Sequence, residues 1–181
     1  MLRSFVYIVV GWLFIAVVGG LADVFSITVM LPATSAVIIA HVAFSDESSV
    51  PVSLFVAVAL GYLEDLHQGA PLGTLTLAYA LSYLALRWAS ARIALTGWVR
   101  RGLVALVAVV LVDLATFGVL VAMADVFEIG RDVLVELLFG IHWHALATML
   151  VAPPAWALLD RTMTVLHLDD RPPGSAYWTG K

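Results

Sequence analysis

Residues 102–124 read GLVALVAVVLVDLATFGVLVAMA, and Asp113 is the only charged side chain among them. An α-helix needs about 20 apolar residues to cross the hydrocarbon core of a bilayer, so this stretch is long enough. The whole chain of 181 residues has the same character, with 62% apolar residues, 12% charged residues and a mean hydropathy of +1.03. A soluble domain carries roughly 25% charged residues. We therefore exclude a water-soluble globule and expect a bilayer as the solvent.

Five other stretches also contain no Asp, Glu, Lys or Arg: residues 4–22, 24–45, 48–63, 66–86 and 137–159. A lipid-exposed segment has to pair its own backbone groups, and the alternating pattern of a membrane barrel is missing. The sequence therefore predicts an all-α integral membrane protein, with six transmembrane helices in one bundle over residues 1–159. Residues 160–181 contain charged and proline-rich sequence and are predicted to form a flexible cytoplasmic tail.

The basic residues predict the orientation, because short loops rich in Arg and Lys stay on the cytoplasmic side. Arg3 precedes the first predicted helix, and Arg161, Arg171 and Lys181 follow the sixth. Four more arginines lie between the fourth and fifth helices, whereas Arg131 alone falls on the opposite side. Both termini are therefore predicted to be cytoplasmic.

The most distinctive polar segment connects the third and fourth predicted helices. The third apolar stretch is short, about 24 Å of helix, so Glu64 and Asp65 have to extend it toward a hydrocarbon core of about 30 Å. Gly69 and Pro71 then interrupt the helix and predict a tight turn over residues 64–71. Two interpretations stay open: a plain polar hairpin at the membrane surface, or a turn in which Asp65 anchors the connection or a partner.

Glycines on both sides of this turn, Gly61 and Gly73, are expected to permit close approach of the two backbones. Residues 61–73 read GYLEDLHQGAPLG, and Tyr79 follows in the next helix. This pattern resembles the MreD family of rod-shape-determining membrane proteins. That family shows a Gly, an Asp four residues on, and then Gly, Pro, Leu and Gly; the matching residues are Gly61, Asp65, Gly69, Pro71, Leu72 and Gly73. The family often has Pro-Asp at the start of the second helix, where this chain has Pro32 and Ala33.

The resemblance implies a non-enzymatic scaffold subunit of the cell-wall elongation (rod-shape) complex, located in the bacterial cytoplasmic (inner) membrane. It implies an MreC-like single-span protein as partner, together with the MreB filament, RodA and a class B penicillin-binding protein. Small residues at helical spacing, such as Ala16 and Gly20, provide faces for internal packing or for partner helices. The alternative is the substrate-binding membrane subunit of a vitamin or metal transporter of the energy-coupling-factor type, which would need an outward cavity lined by polar groups.

Asp113 is the deepest charged residue, because it lies near the middle of its apolar stretch. An ionised carboxylate is costly there, so Asp113 should face the interior of the bundle. His144, or less favourably His142, is a partner at matching depth on the antiparallel sixth helix. The pair either holds two helices together or forms a proton or ligand site. The two histidines are two residues apart and point to different helix faces, so we predict no metal site.

The connection over residues 87–101 interleaves arginine with tryptophan, which is typical of membrane orientation and an interfacial aromatic belt, with lipid as the contact. We expect no nucleic acid as a partner. The sequence contains no Gly-x-Ser-x-Gly elbow, His-Glu-x-x-His, P-loop or dinucleotide fingerprint, and no cysteine. We therefore expect neither enzymatic activity nor a cofactor.

Overall fold

In the computed structural model, the chain is a bundle of helices. The elements are α1 (Leu2–Phe25), α2 (Thr34–Ser45), α3 (Val50–Gln68), α4 (Thr74–Ser90), α5 (Trp98–Ala122), α6 (Ala124–Phe127) and α7 (Arg131–Val165). The structure describes residues 2–25, 31–45, 49–69, 71–92, 97–166 and 168. Every regular element within these residues is a helix, and none is a strand, as the predicted all-α class requires.

Four helices are long and apolar enough to cross a membrane, judged by length and composition: Leu2–Ala22, Val50–Gln68, Trp98–Ala122 and Arg131–Val165. The 12 residues of α2 and the 17 residues of α4 correspond to shorter rods of about 18 and 26 Å. Within the described residues, four of the six predicted spans thus contain a helix long enough to cross a membrane, whereas α2 and α4 are shorter.

The short helix α2 lies at the centre of the bundle and contacts α1, α3, α4, α5 and α7. All residues from Ala33 to Phe44 are buried. The prediction of one span over residues 24–45 is corrected here: Val24 belongs to α1, and α2 begins only at Thr34. Pro32 explains the late start, because proline cannot continue a helix from the preceding residues. Residues 26–30 lie outside the described chain.

The boundary between α3 and α4 also differs from the prediction. Helix α3 continues through Glu64 and Asp65 to Gln68, which is the extension that its short apolar stretch required. Residues 66–68 therefore complete α3 and do not open the fourth span, and α4 begins only at Thr74. The turn is correspondingly shorter than the predicted 64–71 and follows Gln68.

The last helix is the longest, with 35 residues, and it continues to Val165. The boundary predicted between residues 159 and 160 therefore falls inside a continuous helix, and residues 169–181 of the predicted tail lie outside the described chain. Pro153 lies inside α7 and cannot donate to the carbonyl of Met149. That carbonyl oxygen would lie 3.3 Å from a Cβ atom on Gly102, so the glycine allows α5 and α7 to pack closely.

Candidate functional site

The carboxylate of Asp65 caps the beginning of α4. Asp65 is 1% exposed and accepts hydrogen bonds from the backbone N–H groups of Gly73 at 2.9 Å, Leu75 at 2.8 Å and Thr76 at 3.1 Å. The Thr76 hydroxyl donates a fourth hydrogen bond at 2.7 Å. The first N–H groups of a helix lack partners within it, and the helix dipole favours a negative charge at this end. Asp65 therefore anchors the α3–α4 connection, and the N–H groups at the beginning of α4 compensate its negative charge.

The turn between the two helices depends on two glycines in the left-handed backbone region. Gly69 ends α3 with φ +66°, and Gly73 precedes α4 with φ +96°. Pro71 accepts a hydrogen bond from the backbone N–H of Thr74 at 3.1 Å. No described heavy atom lies within 4 Å of a Cβ built on Gly73. The expectation that Gly73 permits close helix approach is therefore wrong, because glycine is needed there for its backbone conformation.

Gly61, in contrast, does sit at a close helix contact. A Cβ on Gly61 would lie 2.7 Å from the Cα of Thr76 and 2.8 Å from the carbonyl oxygen of Leu75. Both are backbone atoms of α4, so they cannot move aside as a flexible side chain can. The small residue therefore sets the distance between α3 and α4 beside the Asp65 cap.

Glu64, the neighbour of Asp65 in the chain, faces a different part of the bundle. It is 6% exposed, and its Oε2 accepts a hydrogen bond from Nε2 of Gln68 at 2.9 Å. The hydroxyl groups of Ser35 on α2 and Tyr79 on α4 lie beside its carboxyl group. Tyr79, which the resemblance associated with the turn, is thus a neighbour of Glu64. The Ser35 hydroxyl is fully buried beside this carboxyl group, to which it can donate a hydrogen bond.

Asp113, which is buried, and His144, which is half-buried, meet between α5 and α7, as their matching depth predicted. Nδ1 of His144 lies 3.1 Å from Oδ2 and 3.2 Å from Oδ1 of Asp113. One turn further along α7, Thr148 accepts a hydrogen bond from the backbone N–H of Ala33 at 2.8 Å and donates to the carbonyl of His144 at 2.8 Å. The Asp113–His144 pair is therefore connected to the beginning of α2.

His142 does not join this cluster. Its side chain is exposed, and its ring lies 5.0 Å from that of Trp143. It lines a surface groove between α5 and α7 together with apolar side chains. Among the described residues, no group of three or more His, Cys, Asp or Glu side chains is arranged to hold a metal ion.

A second buried polar network lies toward the opposite ends of these helices, and the sequence analysis did not find it. Nδ1 of His41 lies 3.1 Å from the Tyr7 hydroxyl, and Nε2 lies 2.8 Å from Oδ1 of Asp160. Arg101 pairs with the other oxygen of Asp160 at 3.2 Å. The network joins α1, α2, α5 and α7. One sequence feature could have indicated this network: His41 is the single histidine in residues 24–45, a stretch that contains no Asp, Glu, Lys or Arg.

The arginines and tryptophans of the α4–α5 connection contact one another and the backbone. The guanidinium of Arg92 lies 3.8 Å from the ring centre of Trp88 and donates to the Trp88 carbonyl at 3.1 Å. Arg87 donates to the carbonyl of Ala43 near the end of α2 at 3.1 Å. Arg87 therefore stabilises the end of α2, in addition to any role that these arginines have in orienting the protein in the membrane.

In comparisons with protein families, curated proteins and solved structures, the chain matches none of them. The functional interpretation is based on the geometry described above and on the sequence pattern at residues 61–73. The residues of that pattern build the α3–α4 turn, and Asp113 and His144 form a separate polar pair between α5 and α7.

Proposed function

We propose that the chain is a non-enzymatic scaffold of the bacterial cytoplasmic membrane, similar to MreD, which holds an MreC-like single-span protein and the wall-synthase partners together. The observation that carries this proposal is the Asp65 cap. Four residues of the pattern that suggests the family take part in one rigid connection: Gly61 sets the α3–α4 distance, Asp65 caps α4, and Gly69 and Gly73 form the turn.

We further propose six membrane crossings with both termini in the cytoplasm. Helix α2 connects α1 to α3 along the chain, and α4 connects α3 to α5. Each of these two shorter helices packs against both of the longer helices that it connects. The distribution of arginine then places the α4–α5 connection on the cytoplasmic side and the α3–α4 turn on the outside.

A candidate partner face lies on α1. Ala57 and Gly61 on α3 are buried inside the bundle, as are Ala78 and Ser82 on α4. Gly20 on α1 is exposed, and no described heavy atom lies within 4 Å of a Cβ built there. Small residues favour close packing between membrane helices, so this face is the one that we assign to a partner helix.

Co-purification tests the scaffold. The tagged full-length protein, extracted from bacterial membranes in mild detergent, is expected to retain a single-span MreC-like protein and a wall synthase. Gly20→Leu should reduce this recovery, whereas Gly118→Leu, at another exposed helix glycine with open space, should not. Recovery of neither partner with the unaltered protein would contradict the scaffold.

One observation favours the transporter alternative. A groove opens beside the α3–α4 turn, and it is lined by Gln68, Pro71, Thr74, Leu75, Thr116, Leu120, Ile129, Val133 and Leu137. The groove is mainly apolar with a few polar groups, which is the usual character of a small-molecule site. Native mass spectrometry of the purified protein distinguishes the two proposals, because a substrate-binding subunit should retain a small molecule and bind an ATPase module.

A further inference from the structure

The groove beside the α3–α4 turn contains a buried hydroxyl group without a partner. Thr116 on α5 lines the groove and is 8% exposed, and its Oγ1 makes no hydrogen bond to another described residue. Three threonines of α7, in contrast, each donate to the carbonyl four residues before them: Thr148, Thr162 and Thr164. The Thr116 hydroxyl does not bond to its own helix in this way, so it is available to a molecule in the groove.

Water alone does not account for this groove. The groove encloses about 410 Å³, whereas one water molecule fills about 30 Å³ and needs roughly two to four polar partners. Besides Thr116, only Gln68 and Thr74 among the described lining residues have polar side chains, and Gln68 donates its amide to Glu64. None of the described lining residues is charged. The groove is therefore suited to an apolar chain that carries an uncharged hydrogen-bonding group, rather than to an ion.

Charged side chains lie next to the groove at the beginning of α7. Ile129 and Val133 belong to its lining; Arg131 and Asp132 lie between them in the chain, and Glu128 precedes them. The side chains of Glu128, Arg131 and Asp132 are all exposed. One cation with two acids is complementary to a zwitterionic headgroup, in which a phosphate pairs with the arginine and an ammonium group with an acid. An anionic headgroup would meet both acids and is therefore disfavoured.

We propose that this groove binds one zwitterionic phospholipid of the phosphatidylethanolamine class. An acyl chain lies along the apolar residues, the Thr116 hydroxyl donates to an ester carbonyl oxygen, and the phosphate pairs with Arg131. Thr116 lies six residues before the end of α5 at Ala122, which is about 9 Å of helix. This depth suits the ester groups, which join the headgroup to the acyl chains. The site lies within one chain, so its test requires no partner protein and is independent of the scaffold.

Native mass spectrometry of the full-length protein tests this proposal. The protein is released from nanodiscs that contain equal amounts of phosphatidylethanolamine and phosphatidylglycerol, and we expect it to retain one phosphatidylethanolamine molecule. Thr116→Val keeps the shape of the side chain and removes the hydroxyl, so retention should fall about fivefold, as for the loss of one hydrogen bond. The matched control Thr162→Val, which alters a threonine that bonds to its own helix, should retain the lipid. No retained lipid, equal retention of phosphatidylglycerol, or equal losses in the two variants overturns the proposal.

The headgroup contact has its own pair of variants. Arg131→Gln removes the partner of the phosphate and should lower the retention of phosphatidylethanolamine by about fivefold. Arg161→Gln removes an exposed cation near the other end of α7 and should leave the retention unchanged. Equal effects of the two substitutions would show that the phosphate does not pair with Arg131 and would overturn the proposal.

Photocrosslinking locates the lipid in the unaltered protein and so does not depend on the folding of any variant. Phosphatidylethanolamine with a photoreactive group on an acyl chain is incorporated into liposomes with the full-length protein, and the labelled peptides are identified. We expect the label at residues 116–120 and 129–137, which face each other across the groove. Excess unlabelled phosphatidylethanolamine should displace it. A label spread evenly over the exposed helix faces overturns the proposal, as does a small molecule other than a lipid retained in the groove, which would favour the transporter.

Discussion

Two consecutive carboxylic acids on α3 have opposite surroundings. Asp65 accepts four hydrogen bonds from α4, three of them from backbone N–H groups. Glu64 is also buried, but it receives a hydrogen bond from the Gln68 amide of its own helix and lies beside the hydroxyl groups of Ser35 and Tyr79. The difference shows that burial alone does not define the role of an acid in a bundle. Asp65 is a structural cap of α4, whereas Glu64 makes no hydrogen bond to the beginning of that helix.

The largest expected effect is the loss of the cap. Asp65→Ala removes the acceptor of four hydrogen bonds and leaves buried donors without a partner, so the free energy of unfolding should fall by at least about 3 kcal/mol. Unfolding by SDS titration in mixed micelles measures this loss. Asp125→Ala, which alters an exposed acid on α6, is the control and should change little. An Asp65→Ala protein that is as stable as this control would show that the cap does not hold α4.

A smaller loss is expected when the helix contact beside the cap is overfilled. In Gly61→Ala the added methyl group meets backbone atoms of α4 at 2.7 and 2.8 Å, so the helices have to separate, at a cost of about 2 kcal/mol. Gly118→Ala adds the same methyl group where no described atom lies within 4 Å. The control should leave the free energy of unfolding unchanged or raise it by up to about 1 kcal/mol. Equal effects of both substitutions would rule out a close contact at Gly61.

Substitution of Asp113 should lower the free energy of unfolding by less than substitution of Asp65 and by more than substitution of Glu64. Asp113→Asn keeps a hydrogen-bonding group opposite the imidazole, so we expect a loss of about 1 kcal/mol or less, as for other hydrogen bonds between membrane helices. A double-mutant cycle with His144→Ala measures the coupling of the two residues in the same micelles. A coupling energy of zero would mean that the 3.1 Å contact contributes nothing to stability.

Parts of this arrangement could be predicted from the sequence because they depend on local signals. Gly69 and Pro71 indicate the end of α3, and the short third stretch requires an extension through Glu64 and Asp65. The depth of Asp113 within its stretch selects His144 over His142 on an antiparallel helix. In these cases, counting residues along a helix is sufficient, because the rise per residue is fixed.

Other parts depend on tertiary packing and leave little trace in the sequence. Residues 24–45 contain no Asp, Glu, Lys or Arg, and Pro32 alone indicates that the described helix begins at Thr34. Spacing cannot show which of two adjacent acids faces the start of α4, since both lie at the same helix end. The contact between His41 and Asp160 joins residues 119 apart in the chain, and no local pattern connects them.

The most direct test of the contrast between the two acids compares Asp65→Asn with Glu64→Gln in the same micelles at neutral pH. Each substitution replaces a carboxyl group with an amide of nearly equal size. We expect Asp65→Asn to lower the free energy of unfolding by about 2 kcal/mol, because a charged acceptor is lost. Glu64→Gln should change it by less than about 0.5 kcal/mol, because the amide oxygen can still accept the hydrogen bond from Gln68 and no donor at the start of α4 depends on Glu64. Equal losses in the two variants would show that the hydrogen bonds from α4 give Asp65 no greater structural role than its neighbour, and would contradict the account.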